Sequence, residues 1–306
     1  MTDPVELVVG LINSNDARKA ESFSAALSTV MNRRNANIFW RALIDKAAVL
    51  AEQGSGSGPL EMTKVFVRNR LDPNMSLDNG DFPVNVMVAR SHKLTALALE
   101  SFNFDLNVLD KSGRTPGMRA LEAAKAQTMP SFDVVSKIVG AKSFRPEVAD
   151  QAAQICFKGL AWIQVAAGSG SGVIGATAAA VRLLDALASK GYDFNAARET
   201  PDSMYGSTIN TPLAYCIKKA VQWLEWSHAR KAGSQMGEAV WFIAQDLMRR
   251  GADPCLQMEA GDRVQLLELC RTGGFPSGMM QSLEAGLLSQ SISEPSSPKA
   301  RPVRRL

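Results

Sequence analysis

Two turns of this chain repeat each other at an interval of 33 residues. Leu71-Asp72-Pro73-Asn74 is followed six positions after its Asn by Gly80, and Phe104-Asp105-Leu106-Asn107 is followed six positions after its Asn by Gly113. A fixed period of this length marks stacked helical repeats, each too small to bury its own apolar face, and it constrains the fold more than any other feature. It bears on function too, because stacked units present extended surfaces on which partners dock.

The turn returns further along. Gly191-Tyr192-Asp193-Phe194-Asn195 and Gly251-Ala252-Asp253-Pro254-Cys255 keep the spacing, with Cys255 in place of the last Asn. Gly113-Arg114-Thr115-Pro116 and Thr211-Pro212-Leu213 follow two of these turns. Each residue has a physical reason to be there. Gly ahead of the Asp supplies the left-handed residue that ends a helix. Asp and Asn bond their own backbone within the turn. Thr before Pro caps a new helix, and Pro takes the first helical position, where its missing donor costs nothing.

On these residues the chain resembles the ankyrin repeat, whose pattern runs Gly-x-Thr-Pro-Leu-His, a helix pair, then Gly-Ala-Asp-x-Asn. The resemblance implies an all-α, ankyrin-like helical repeat array, a solenoid. The chain departs from the pattern at several points. Phe82-Pro83 and Arg263-Val264 stand where Thr-Pro is expected, Gly117-Met118 replaces Leu-His, and Ala214-Tyr215 follows Leu213. The family here is divergent, and the Ala/Arg/Gly-rich composition has a bacterial or phage character.

The pattern divides the chain into an N-terminal helical cap over 1–32, an array of about five units over 33–288, and a disordered basic tail over 289–306. In the cap, Pro4 to Asn13 and Asp16 to Met31 read as amphipathic helices, with Ala20, Phe23, Ala26, Leu27 and Val30 on one inward stripe. Asn35 to Glu52 follows, with Ile38, Leu43, Ala47 and Leu50 inward, then Leu60 to Arg70. The next helices are Val84–Arg90, Lys93–Ser101, Met118–Ala126 and Phe132–Val139. A long helix from Arg145-Pro146 to Val165 pairs with Val173–Lys190. Gly-Ser runs at Gly54–Gly58 and Gly168–Gly172 fall between first and second helices, as flexible crossings. The fourth unit is enlarged by a polar loop, Glu199 to Asn210, and by a long helix from Pro212 to about Arg230 that precedes Glu238–Arg250. Trp223, Trp226, Trp241 and Phe242 of this unit read as a shared aromatic core. The tail, rich in Ser, Pro and Arg, has too little apolar content to order.

Charge narrows the partners. From Ser291 onward Lys299, Arg301, Arg304 and Arg305 oppose Glu294, so the tail carries +3 of the net +4 and the body only +1. A body so near neutral argues against a nucleic-acid binder, which needs a basic face to displace phosphate counterions. No apolar run approaches the length of a membrane span. The first residues carry Asp3 and Glu6 but no Lys or Arg, unlike the n-region of a secretory signal. With Cys156, Cys216, Cys255 and Cys270 lacking metal spacing, this predicts a cytoplasmic protein with reduced thiols, or one secreted by a signal-peptide-independent route.

No catalytic, cofactor-binding or metal-binding residues are assigned, and the chain is read as a non-enzyme. His92 and His228 are the only histidines, and no nucleophile elbow or phosphate loop occurs. By the resemblance, loop tips and first helices form a concave contact face for another protein, and the chain is an adaptor, inhibitor or effector. Partner-binding residues expected there are Asp78, Asn79, Asp81, Lys111, Arg114 and Arg263 at the tips, Arg90 on a first helix, and Tyr205, Tyr215, Lys218 and Lys219 in the enlarged unit. Asn85 and Glu122 are further first-helix positions. Two alternatives stand beside this reading: an enzyme with His228 and a cysteine in the enlarged unit, and a nucleic-acid-associated protein acting through the basic tail.

Overall fold

The computed structural model describes residues 3–54, 58–124, 130–167, 172–202, 206–216, 230–253, 281 and 284–285. The chain divides into two compact units, Met1–Tyr192 and Asp193–Leu306. Every described element of the first is helical: α1 (Pro4–Ser14), α2 (Ala17–Ser22), α3 (Ser24–Val30), α4 (Arg33–Glu52), α5 (Gly58–Arg68), α6 (Pro83–Arg90), α7 (His92–Ser101), α8 (Pro116–Ala124), α9 (Pro130–Gly140), α10 (Gln151–Ala166) and α11 (Gly172–Ala188). A 3-10 turn, Val148–Asp150, precedes α10. The second unit holds β1 (Arg198–Asp202), β2 (Gly206–Asn210), α12 (described over residues 212–216) and α13 (Arg230–Arg249). No described helix is long and apolar enough to cross a membrane.

Short polar side chains start the helices. Asp3 accepts from the Val5 N–H, Asp16 from Lys19, Asn32 from Asn35 and Ser91 from Leu94. Thr115 and Thr211, each ahead of a Pro, accept from Met118 and Ala214 at 3.3 Å. At the other end, three of the helices that close with a left-handed residue share one form, at Arg70 (φ 75), Gly191 (φ 71) and Gly251 (φ 89). Behind each, the next N–H reaches back to the last turn, as Leu71 to Phe66, Tyr192 to Leu187 and Ala252 to Leu247.

Within the first unit the helices pair as hairpins, α4 with α5, α6 with α7, α8 with α9 and α10 with α11. Contacts then run along two rows. The first members touch in the order α4, α6, α8, α10, and the second members in the order α5, α7, α9, α11. The core lies between the rows. Phe39 and Phe66 meet edge to face with centroids 5.6 Å apart, and Trp40, fully buried, donates from Nε1 to the Asp72 carbonyl at 3.0 Å. Helices α1 and α2 pack on α4 and α5.

Several sequence expectations are corrected. The segment from Asp16 to Met31 is not one helix; it breaks at Phe23 into α2 and α3, and Phe23 is 48 % exposed although its spacing placed it in the core. Ile38 likewise faces out, while its neighbour Asn37 is buried because its amide bonds the Arg33 and Asp78 backbones. The helix expected from Arg145 begins at Gln151, since Ala149 and Asp150 have positive φ. The polar loop from Glu199 is an antiparallel ribbon in which Thr200 pairs with Thr208. Phe242 is 41 % exposed; the side chains of Trp223, Trp226 and Trp241, expected to share a core with it, lie outside those described. Trp223, Trp226, residues 55–57 and 168–171 of the Gly-Ser runs, and the tail lie outside the described residues.

Candidate functional site

The turns between hairpins are built from their own side chains. Asp72 accepts from the Asn74 N–H at 2.8 Å, Asp105 from Asn107 at 3.0 Å and Asp193 from Asn195 at 2.8 Å. Each Asn amide then spans to the next turn in its own unit. Asn74 donates to the Asn103 carbonyl and accepts from the Asp105 N–H. Asn107 donates to Ser143 and accepts from Arg145; Asn195 donates to Gly251 and accepts from Asp253. Donor and acceptor of one amide are both used, which fixes the spacing of successive turns.

Beyond each Asn the chain projects as a tip. Leu77 N–H donates to the Asp81 carbonyl at 2.8 Å, and Asp110 N–H to the Arg114 carbonyl at 3.0 Å. Gly80 (φ 78) and Gly113 (φ 69) take the left-handed position that closes each tip. The tips are neighbours: a Cβ on Gly80 would sit 3.7 Å from the Lys111 Cβ.

An ion network ties the tips to α8. Arg119 donates from Nε to Asp110 at 2.5 Å and from a terminal nitrogen to Asp81 at 2.9 Å. Arg114 bonds Asp110 and Glu122. The Asp110 side chain is fully buried. Burial by itself would raise its pKa, but N–H bonds from Arg114 and Ser112, with the bond and charge of Arg119, outweigh it and bring the carboxyl down to about 2. Asn37 of α4 holds the first tip from the other side, accepting from the Asp78 N–H at 2.8 Å.

The expected contact residues therefore separate. Asp78, Asn79 and Lys111 are exposed and lie on adjacent tips. Asp81 is a correction: it is 7 % exposed and held by Arg119 and Asn79, an anchor below the surface. Arg114 is half-buried in its pairs with Asp110 and Glu122. Asn85 is another correction, fully buried, with neither amide atom bonded among the described residues. Arg90 is exposed at the far end of α6, about 10 Å from the tip by helix rise, where it pairs with Asp45 at 3.2 Å. Tyr215 is half-buried in α12. Tyr205, Lys218, Lys219 and Arg263 lie outside the described residues, as does His228.

Sequence reasoning missed Arg119, Asp110 and Glu52. The signal for the first two was faint: a charged residue at Asp110 where the preceding turn has Leu77, and another at Arg119 where the preceding first helix has Val86. Glu52 sits in a cleft of about 260 Å3 with Arg90, Ser91 and His92. The Ser91 hydroxyl donates to Glu52 at 2.7 Å, and this bond, with the one from Lys93, holds the carboxyl below its ordinary pKa. Ser91 also caps α7, accepting from the Leu94 N–H at 3.2 Å, so the pair closes the start of that helix.

No group of three His, Cys, Asp or Glu among the described residues could hold a metal ion. Cys156 and Cys216 are buried. No protein-family model matches the chain, and no curated protein matches it. What the geometry offers is a set of polar tips, fixed by buried ion pairs and regularly spaced.

Proposed function

We propose that the chain is a divergent ankyrin-like repeat array, a solenoid, that binds a partner protein through its loop tips. The observation that carries this reading is the shared bonding of Asn74 and Asn107, which set successive turns at one spacing while the helix pairs line up in two rows. Asp78, Asn79 and Lys111 then form the contact edge of the first unit. In the second unit Tyr215, Lys218 and Lys219 are a separate contact. The mechanism is preorganisation. Arg119 and Asn37 already hold the tips, so docking orders little that was mobile and loses little entropy.

The test compares wild type with a tip variant carrying Asp78→Lys and Lys111→Glu, and with Arg182→Glu on α11. Both variants are expected to melt within about 2 °C of wild type. Proteins retained by the wild type from an extract are expected to fall at least about tenfold with the tip variant and to persist with Arg182→Glu. Equal retention by wild type and tip variant removes the reading. Changing Tyr215, Lys218 and Lys219 to Ala assays the second unit independently.

A further inference from the structure

Between α1 and the α2–α3 pair runs an apolar groove of about 490 Å3. Leu7 is 60 % exposed and Phe23 48 %, and both line it with Gly10 and Ala26. Two large apolar side chains left open to water on one groove make it a candidate docking surface.

Two further features say what covers it. The first is charge. Glu6 on α1 and Lys19 on α2 line opposite walls of the groove, and neither has an ion-pair partner among the described residues. Lys19 lies one helical turn before Phe23, and Glu6 immediately precedes Leu7. A two-fold axis that sets Leu7 of one copy against Phe23 of another therefore brings Glu6 toward Lys19, and the reciprocal pair forms by symmetry. The second is Gly10. A Cβ there would meet nothing within 4 Å, so the isolated unit does not require glycine in the middle of this exposed helix. Its missing side chain leaves room on the groove for the backbone of a second copy.

We propose that the groove receives the same groove of a second copy, making an isologous dimer through α1 and α3 with Glu6 of each copy paired to Lys19 of the other. No tip residue lines the groove.

The experiment uses the full chain and sedimentation equilibrium over about 5–500 μM, the range expected of a small interface. Wild type is expected to shift from monomer toward dimer across this range. Glu6→Lys alone and Lys19→Glu alone each place like charges at both reciprocal contacts, and each is expected to weaken association at least tenfold. An equimolar mixture of these two variants restores both pairs, so it is expected to form a heterodimer with near wild-type affinity. Gly10→Leu is expected to keep or raise the melting temperature while abolishing the dimer. A wild type that stays monomeric to the highest concentration overturns the proposal, as it would if a different protein covers the groove. So does a mixture that associates no better than its components, or a Gly10→Leu protein that dimerises normally. The tip variant is expected to dimerise as wild type does, so loss of partner capture and loss of self-association are read separately.

Discussion

Arg119 and Asp81 stand 38 residues apart in the chain, and the guanidinium of one donates to the carboxylate of the other at 2.9 Å. The same guanidinium bonds Asp110, so one side chain neutralises two carboxylates from successive tips. Removing it leaves Asp81 buried without a counter-charge and Asp110 with Arg114 alone. Arg119→Met is expected to cost about 3 kcal/mol in urea unfolding. Lys137→Met, which breaks an exposed pair with Glu100, is expected to cost less than about 1 kcal/mol. Equal losses would show that the network carries no special weight.

Asp110 makes stability depend on acid. Its folded pKa of about 2 lies below the ordinary 3.8, so the folded state binds the proton less well than the unfolded chain. A depressed carboxyl contributes stability fully above its unfolded value and loses it as pH falls through the folded one. The window is thus pH 4 to 2, and the contribution is about 2 kcal/mol. Asp110→Asn is expected to flatten the pH dependence of unfolding in that window. An unchanged slope would assign acid sensitivity to other carboxyls.

Asn74 and Asn107 make the same outward bonds from different surroundings. Asn107 is 8 % exposed and its amide oxygen also accepts from Gln151, whereas Asn74 is exposed to water. Asn107→Ala strands buried donors and acceptors and is expected to cost about 2–3 kcal/mol. Asn74→Ala lets water replace the amide and is expected to cost about 1 kcal/mol or less. Chemical denaturation of the two variants side by side measures the difference, and a reversal of the order would contradict the assignment.

Arg70 holds φ 75 where the equivalent helix ends at Gly191 and Gly251 use glycine. A Cβ in that region costs about 1 kcal/mol or more. Arg70→Gly is therefore expected to stabilise the protein and raise Tm by about 2–4 °C, while Gly191→Ala lowers it by a similar amount. A lower Tm for Arg70→Gly would mean that the arginine side chain makes contacts worth more than the strain.

Local chemistry was legible from the residues. Thr115 and Thr211 cap helices because a hydroxyl two or three residues before an open N–H needs nothing else, and the Asp-x-Asn turns close on their own carboxylates. Burial was less legible. Helical spacing puts Phe23 on the inward stripe only if the helix runs on, and the break at Phe23 turns the ring outward. Spacing likewise favours Ile38 over Asn37, until a turn 41 residues on supplies the N–H that satisfies the buried amide. The ribbon of β1 and β2 escaped notice because Pro201 and its polar neighbours give no alternating apolar signal, so only pairing with the opposite strand reveals it.

The residues alone were enough to place the caps at Thr115 and Thr211 and the turns that share the Asp-x-Asn pattern, because each depends on groups a few residues apart. Only the tertiary structure decided that Asp81 is an anchor while Asp78 beside it is exposed, that Arg119 unites two tips, and that the groove at Leu7 and Phe23 lies open. Those outcomes turn on charges and apolar surfaces from distant segments meeting in a place with little water. A linear pattern does not contain that meeting.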